Sequence, residues 1–195
     1  MTTIREKKDA IIAFERRLAH AVSREVIEKP KLSVWMILIP IFFVFFAYRM
    51  NRYKKGREVF ADNFLVTPGR ALEVTTEAVT AGKSPDIEVV VRQASSPPDT
   101  LDAYRKWVAA LTGHYLELLS ADGRDCETLI KKVYGKRANY LLFCNQLNSL
   151  EKAFNAALKP HLTKTTDDVG DIVAVMEKAA AKHRRELAGA IFSSR

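Results

Sequence analysis

The sequence predicts an all-α protein: an N-terminal amphipathic helix, one apolar membrane helix or proline-centred hairpin, and then an antiparallel helical bundle. Three observations predict it. Apolar residues recur at three- and four-residue steps along much of the chain, Leu32 to Tyr48 carry no charge, and hydrophobic residues make up 48% of the 195. Such a composition supports one packed core and excludes general disorder.

The first element is read from residues 1–30. Ile4, Ile11, Phe14, Leu18 and Ala21 fall on one helical stripe, with Arg5, Lys7, Lys8, Arg16 and Arg17 largely off it. Pro30 ends the pattern. A basic amphipathic helix of this kind can lie on a lipid surface, or pack on the rest of the protein or on a copy of itself.

Residues 31–57 form the membrane segment. Its uncharged run holds eleven Leu, Ile, Val or Phe residues, worth roughly −3 to −7 kcal/mol on an insertion scale. Pro40 opposes insertion by about 3 kcal/mol if it interrupts a helix. Trp35 and Tyr48 occupy the positions of interfacial aromatics, and Phe42, Phe43, Phe45 and Phe46 supply the apolar bulk of the anchor. As a helix, seventeen residues rise ~25 Å, short of the ~30 Å hydrocarbon core. Snorkelling by Lys31, Arg49 and Arg52 makes up that difference in a single span; a hairpin with Pro40 at its tip is the second reading, and it needs no charge asymmetry between its flanks. A core helix is the third reading, disfavoured because the run has no polar face.

Charge is partitioned along the chain. Residues 1–57 hold thirteen Lys/Arg and five Asp/Glu, whereas residues 58–195 hold eighteen of each, so the net +8 flanks the apolar run. That pattern suits anionic lipid headgroups, contacted by Lys29, Lys31, Arg49, Arg52, Lys54, Lys55 and Arg57, and excludes a nucleic-acid-binding role. Within about sixteen residues, each side carries five basic residues, so the positive-inside rule assigns no orientation. The closer packing of charge after Tyr48 leans towards a cytoplasmic main domain.

Residues 58–94 are expected as a helical connector, running to about Leu65 and restarting at Thr67-Pro68 as cap and first turn. Gly82 stops it, and Ser84-Pro85 repeats the start signal before a short piece that is helix or strand. "SSPPDT" at 95–100 reads as a linker.

The bundle, residues 101–195, rests on three stripes with coiled-coil-like spacing. The first is Leu101, Tyr104, Val108, Leu111, Tyr115 and Leu118; the second is Tyr140, Phe143, Leu147, Leu150, Phe154 and Ala157, ending at Pro160. The third is Val169, Ile172, Met176, Ala179, His183 and Leu187, preceded by Thr165 and Thr166 as caps.

Candidate chemistry is sparse, and no catalytic residue, metal ligand or cofactor is assigned. "TAGKS" at 80–84 carries the tail of a phosphate-binding loop, but the required first glycine is Glu77. His114 and Glu117 give one H-x-x-E, the reverse of the order a di-iron bundle uses. His114 is expected as a partly buried polar residue, and His183 as a core or interface histidine with a pH-sensitive position. Cys126 and Cys144 are too few for a disulfide framework, and Cys144 is expected to be an inert small hydrophobe. Glu127 beside Cys126 argues against a nucleophile, and Asp167, Asp168 and Asp171 read as helix-start charges.

The expected function is that of a non-enzymatic membrane-anchored scaffold that tethers a protein partner or self-associates through its bundle. The rivals are a monotopic lipid-binding protein that shapes membranes through a re-entrant hairpin, and an accessory subunit of a membrane enzyme complex.

Overall fold

The computed structural model describes residues 2–27, 53–162 and 169–193. Among them lie eight α-helices and no strand: α1 Ile4–Ile27, α2 Tyr53–Phe64, α3 Val66–Thr80, α4 Ile87–Arg92, α5 Leu101–Ser120, α6 Cys126–Tyr134, α7 Arg137–Leu162 and α8 Val169–Ser193. A 3-10 turn, Pro98–Thr100, leads into α5.

Side-chain pairs fix the direction of each helix. Tyr115 meets Glu15 at 2.9 Å while Lys7 reaches the Leu119 carbonyl at 2.9 Å, so α1 and α5 are antiparallel. Between α5 and α7, Tyr104 lies 5.1 Å from Phe154 and His114 4.2 Å from Phe143, centroid to centroid. Between α7 and α8, Asn155 pairs with Glu177 at 3.0 Å and Tyr140 with Phe192 at 6.3 Å. Arg16 with Asp62, 3.4 Å apart, and Lys8 with Glu73 set α2 and α3 antiparallel to α1. Thus α1 and α7 run one way, and α2, α3, α5 and α8 the other. The end of α1, the start of α2, the 3-10 turn, the end of α7 and the start of α8 meet at one end of the bundle.

The core is continuous across these helices. Tyr104, Tyr115, Phe154, Ile11, Leu72, Leu118 and Leu129 are all fully buried. α5 is the central helix: it buries Tyr104, Val108, Leu111, Tyr115 and Leu118 on its expected stripe and also Trp107, Thr112, His114 and Leu119 beside it. Local signals close the ends. Thr3 and Glu6 form a reciprocal capping box at the start of α1. Asp86 and Asp125 cap α4 and α6 by accepting from Glu88 and Thr128. Gly82, at φ 64°, completes a Schellman motif in which Lys83 N–H donates to Ala78 and Gly82 N–H to Val79.

Of the placements open to the amino-terminal stripe, packing on the rest of the protein is the one seen, with Ile11, Phe14, Leu18, Val22 and Val26 buried in the common core. Several other expectations change. Tyr53 to Arg57, expected as the edge of the membrane segment, form the start of α2. The stretch expected as a linker at 95–100 is a packed turn, with Thr100 fully buried and Ser96 bonded to it at 2.7 Å. Asp86, not Ser84, caps α4, which settles that piece as helix. Helix α7 passes Pro160 to Leu162, so the proline sits inside the last turn, where its missing N–H leaves the Ala156 carbonyl without its helical donor. No helix among the described residues is long and apolar enough to cross a membrane. The run Leu32–Tyr48, and with it every expected anchor residue, lies outside the described residues, as do Lys29, Lys31, Arg49, Arg52 and the caps Thr165 and Thr166.

Candidate functional site

The only strongly ionic interior among the described residues is built where α1, α5, α7 and α8 meet. Arg184 of α8 donates to Glu151 of α7 at 2.7 Å and also to the Asn148 amide oxygen. Burial alone would lower the Arg184 pKa, but the carboxylates of Glu151 and Glu15 outweigh it and hold the guanidinium charged. Glu15 of α1 is half-buried and accepts from the Tyr115 hydroxyl; desolvation raises its carboxyl above the usual range, against the pull of Arg184. Burial and the Glu15 carboxylate push the Tyr115 hydroxyl well up, so it stays a donor.

Next to this group lies an aromatic cluster. His114 donates to or accepts from the Tyr134 hydroxyl through Nδ1 at 2.8 Å and stacks on Phe143. Burial depresses its pKa to about 3, so the imidazole is neutral at ordinary pH. A cavity of about 20 Å³ is lined by Glu15, Trp107, His114, Cys144, Leu147 and Arg184. That is room for about one water, not for an organic ligand. The Trp107 indole N–H is buried without a hydrogen-bond partner among the described residues.

The two thiols are closed to chemistry. Cys144 is pushed up to about 11 by burial, and burial together with the Glu15 carboxylate raises Cys126 further still. Both cysteines are buried and free. Among the described residues no group of His, Cys, Asp and Glu is arranged to hold a metal ion.

Of the residues expected in the bundle core, Tyr104, Val108, Leu111, Tyr115, Leu118, Leu147, Phe154, Ile172 and Met176 are buried, while Leu101, Phe143, Leu150 and Leu187 are partly buried against them. His183 sits at the α1–α8 interface, 18% exposed and 2.9 Å from both Glu25 of α1 and Glu186. Arg57 is half-buried on α2, and the side chains of Lys54 and Lys55 lie outside the described residues. Sequence patterning missed Arg184, Glu151 and Glu15. On α8 the expected Ile172, Met176 and Ala179 are buried, and beyond them the buried positions are Ala180, Arg184, Ala188 and Ile191, one residue round from His183 and Leu187. A lone arginine among alanines carries no hydrophobic signal, so the stripe is invisible to a pattern search.

No family model, curated protein or solved structure matches this chain.

Proposed function

We propose that this chain is a membrane-anchored helical scaffold that holds a protein partner, or a second copy of itself, close to an anionic bilayer. One observation carries the reading: the entire net charge of +8 flanks a seventeen-residue uncharged run, while the remainder of the chain is electrically balanced. The helical bundle supports it, because among the described residues the apolar faces of α1 and of the later helices cover one another. Anchoring then acts by raising the local concentration of whatever the bundle contacts, so weak association becomes effective without new contacts. The interior ion pair and aromatic cluster serve packing in this reading, and no reaction step is assigned to them.

Flotation tests it. Full-length chain should float with phosphatidylglycerol-containing vesicles and remain bound after a salt wash, and a chain lacking 32–48 should stay at the bottom of the gradient. Neutralising Lys29 and Lys31 to glutamine should weaken binding to anionic vesicles about 30-fold, two headgroup contacts at about 1 kcal/mol each. A full-length chain that stays monodisperse in buffer without surfactant contradicts the proposal. Crosslinking in native membranes, read by mass, then separates a second copy from a different protein.

A further inference from the structure

Helix α1 precedes the apolar run and the other seven helices follow it, yet all belong to one packed body. Ile11, Phe14, Leu18, Val22 and Val26 are each at most 5% exposed because the later helices cover them. Lys7 donates to the Leu119 carbonyl from a buried position, Tyr115 donates to Glu15, and Lys182 pairs with Glu25 at 2.7 Å. A single crossing between Ile27 and Tyr53 would put α1 on the far side of the bilayer. It would strip all five apolar side chains of their cover and leave the matching face of the bundle open.

An even number of crossings restores the packing, but the chain is too short for two. Each span needs about 20 apolar residues, and residues 28–52 supply 25 in total, of which seventeen form the unbroken uncharged run. We propose that α1 and the rest of the bundle lie on the same face of the bilayer, with the apolar run held in one leaflet. This rests on the membrane-anchor reading above.

Three independent features agree. The end of α1 and the start of α2 sit at the same end of the bundle, since the pairs Arg16–Asp62 and Lys8–Glu73 run in opposite directions along α1 and along α2 and α3. Eight uncharged residues flank Pro40 on each side, a helical reach of about 12 Å, within the ~15 Å of one leaflet's hydrocarbon. The basic flanks are equal, five and five, which a same-side anchor allows and a directional span does not favour. The partner is therefore a lipid leaflet. It meets the bundle end that also carries the Pro98–Thr100 turn and the end of α7.

Cysteine accessibility in sealed vesicles of known sidedness, prepared from cells expressing the full chain, decides the matter. Asp9 and Lys152 are exposed, on α1 and α7, and the two native thiols are buried. D9C and K152C should react with a membrane-impermeant maleimide in the same vesicle preparation and both be protected in the opposite one. R5C and K178C provide a second pair at exposed positions. Labelling of the α1 site in one preparation and the bundle site in the other overturns the proposal. Release of the chain by carbonate wash removes the anchor itself, so failure of the membrane reading is told apart from failure of the one-sided topology.

Discussion

Arg184 and Glu151 form a buried ion pair across the α7–α8 interface, 2.7 Å long, with 8% and 9% of the two side chains exposed. Asn148 and the nearby Glu15 carboxylate complete its surroundings. Breaking such a pair leaves an unpaired charge inside the core, whereas replacing both partners with apolar groups removes the penalty together with the attraction. E151L alone is therefore expected to lose about 3–5 kcal/mol in guanidinium unfolding. The double variant R184M/E151L should recover most of that loss, and equal losses in single and double variants would contradict the assignment.

His114 gives the fold an acid sensitivity. Its folded-state pKa is lowered to about 3 by burial, against 6.5 for the free side chain. Below pH 6.5 the unfolded chain binds a proton that the folded chain refuses, so stability falls as pH drops from 6.5 towards 3. The steepest slope is about 1.4 kcal/mol per pH unit. The raised Glu15 carboxyl acts in the opposite sense, since the folded chain retains a proton that the unfolded chain has released. Unfolding titrations of wild type and H114F between pH 7 and 5 should show the acid loss in wild type and a flatter profile in the variant.

Asp125 holds the start of α6, accepting from the Thr128 backbone at 2.9 Å and from its hydroxyl at 2.9 Å. D125A is expected to lose about 1 kcal/mol, and D125S less, measured by thermal or denaturant midpoint. Backbone bonding of Thr128 also lowers the Asp125 pKa, so this contribution is present above the normal carboxylate range and lost as pH falls through the depressed value.

Because α1 and α2 are adjacent and antiparallel, a shorter connection in place of residues 28–52 is expected to leave the bundle intact. A flexible linker of about eight residues in place of these 25 should raise stability by about 1 kcal/mol through loop closure, or about 2–4 °C in Tm. Circular dichroism and light scattering should find the helical content kept and the chain monodisperse without detergent. Loss of helicity in that variant would mean the replaced segment is part of the core.

Cys126 and Cys144 should resist a thiol reagent in the folded protein and both react in denaturant, because burial keeps each thiol protonated as well as covered. Fast reaction of either in native buffer would show that the α5–α6–α7 packing opens readily.

Much of this fold was legible because its signals are local or periodic. The α5 stripe from Tyr104 to Leu118 sits on the buried face, and Gly82 stops α3 through the positive φ that glycine tolerates. What was not legible depends on tertiary partners. On α7, Cys144 and Glu151 are buried while the neighbouring Phe143 and Leu150 are only partly so, a small rotation that a polar residue in the core conceals. On α1, Val22 and Val26 continue the stripe of Ile11, Phe14 and Leu18 in place of the expected Ala21, and Ala19 with Ile12 buries a second face against Ala61 and Leu65. Proline-rich composition suggested a free linker at 95–100, but the hydrogen bonds of Thr100 to Pro97 and Ser96, and of His161 to Asp99, tie it down. Pairing of Arg184 with Glu151 could be read from neither stretch alone, as 33 positions separate them.

The contact between Glu25 and Lys182 spans 157 positions of sequence. Short-range helix formation can proceed anywhere along the chain, and α1 meets α2 and α3 early, but its contact with α8 joins the two ends of the described bundle. Kinetically the molecule should behave less like a fast-zipping bundle than like a ring that shuts last. A premature stop ahead of α8, or a nick between its two closing elements, therefore leaves the opening helix adhesive for whatever it meets first.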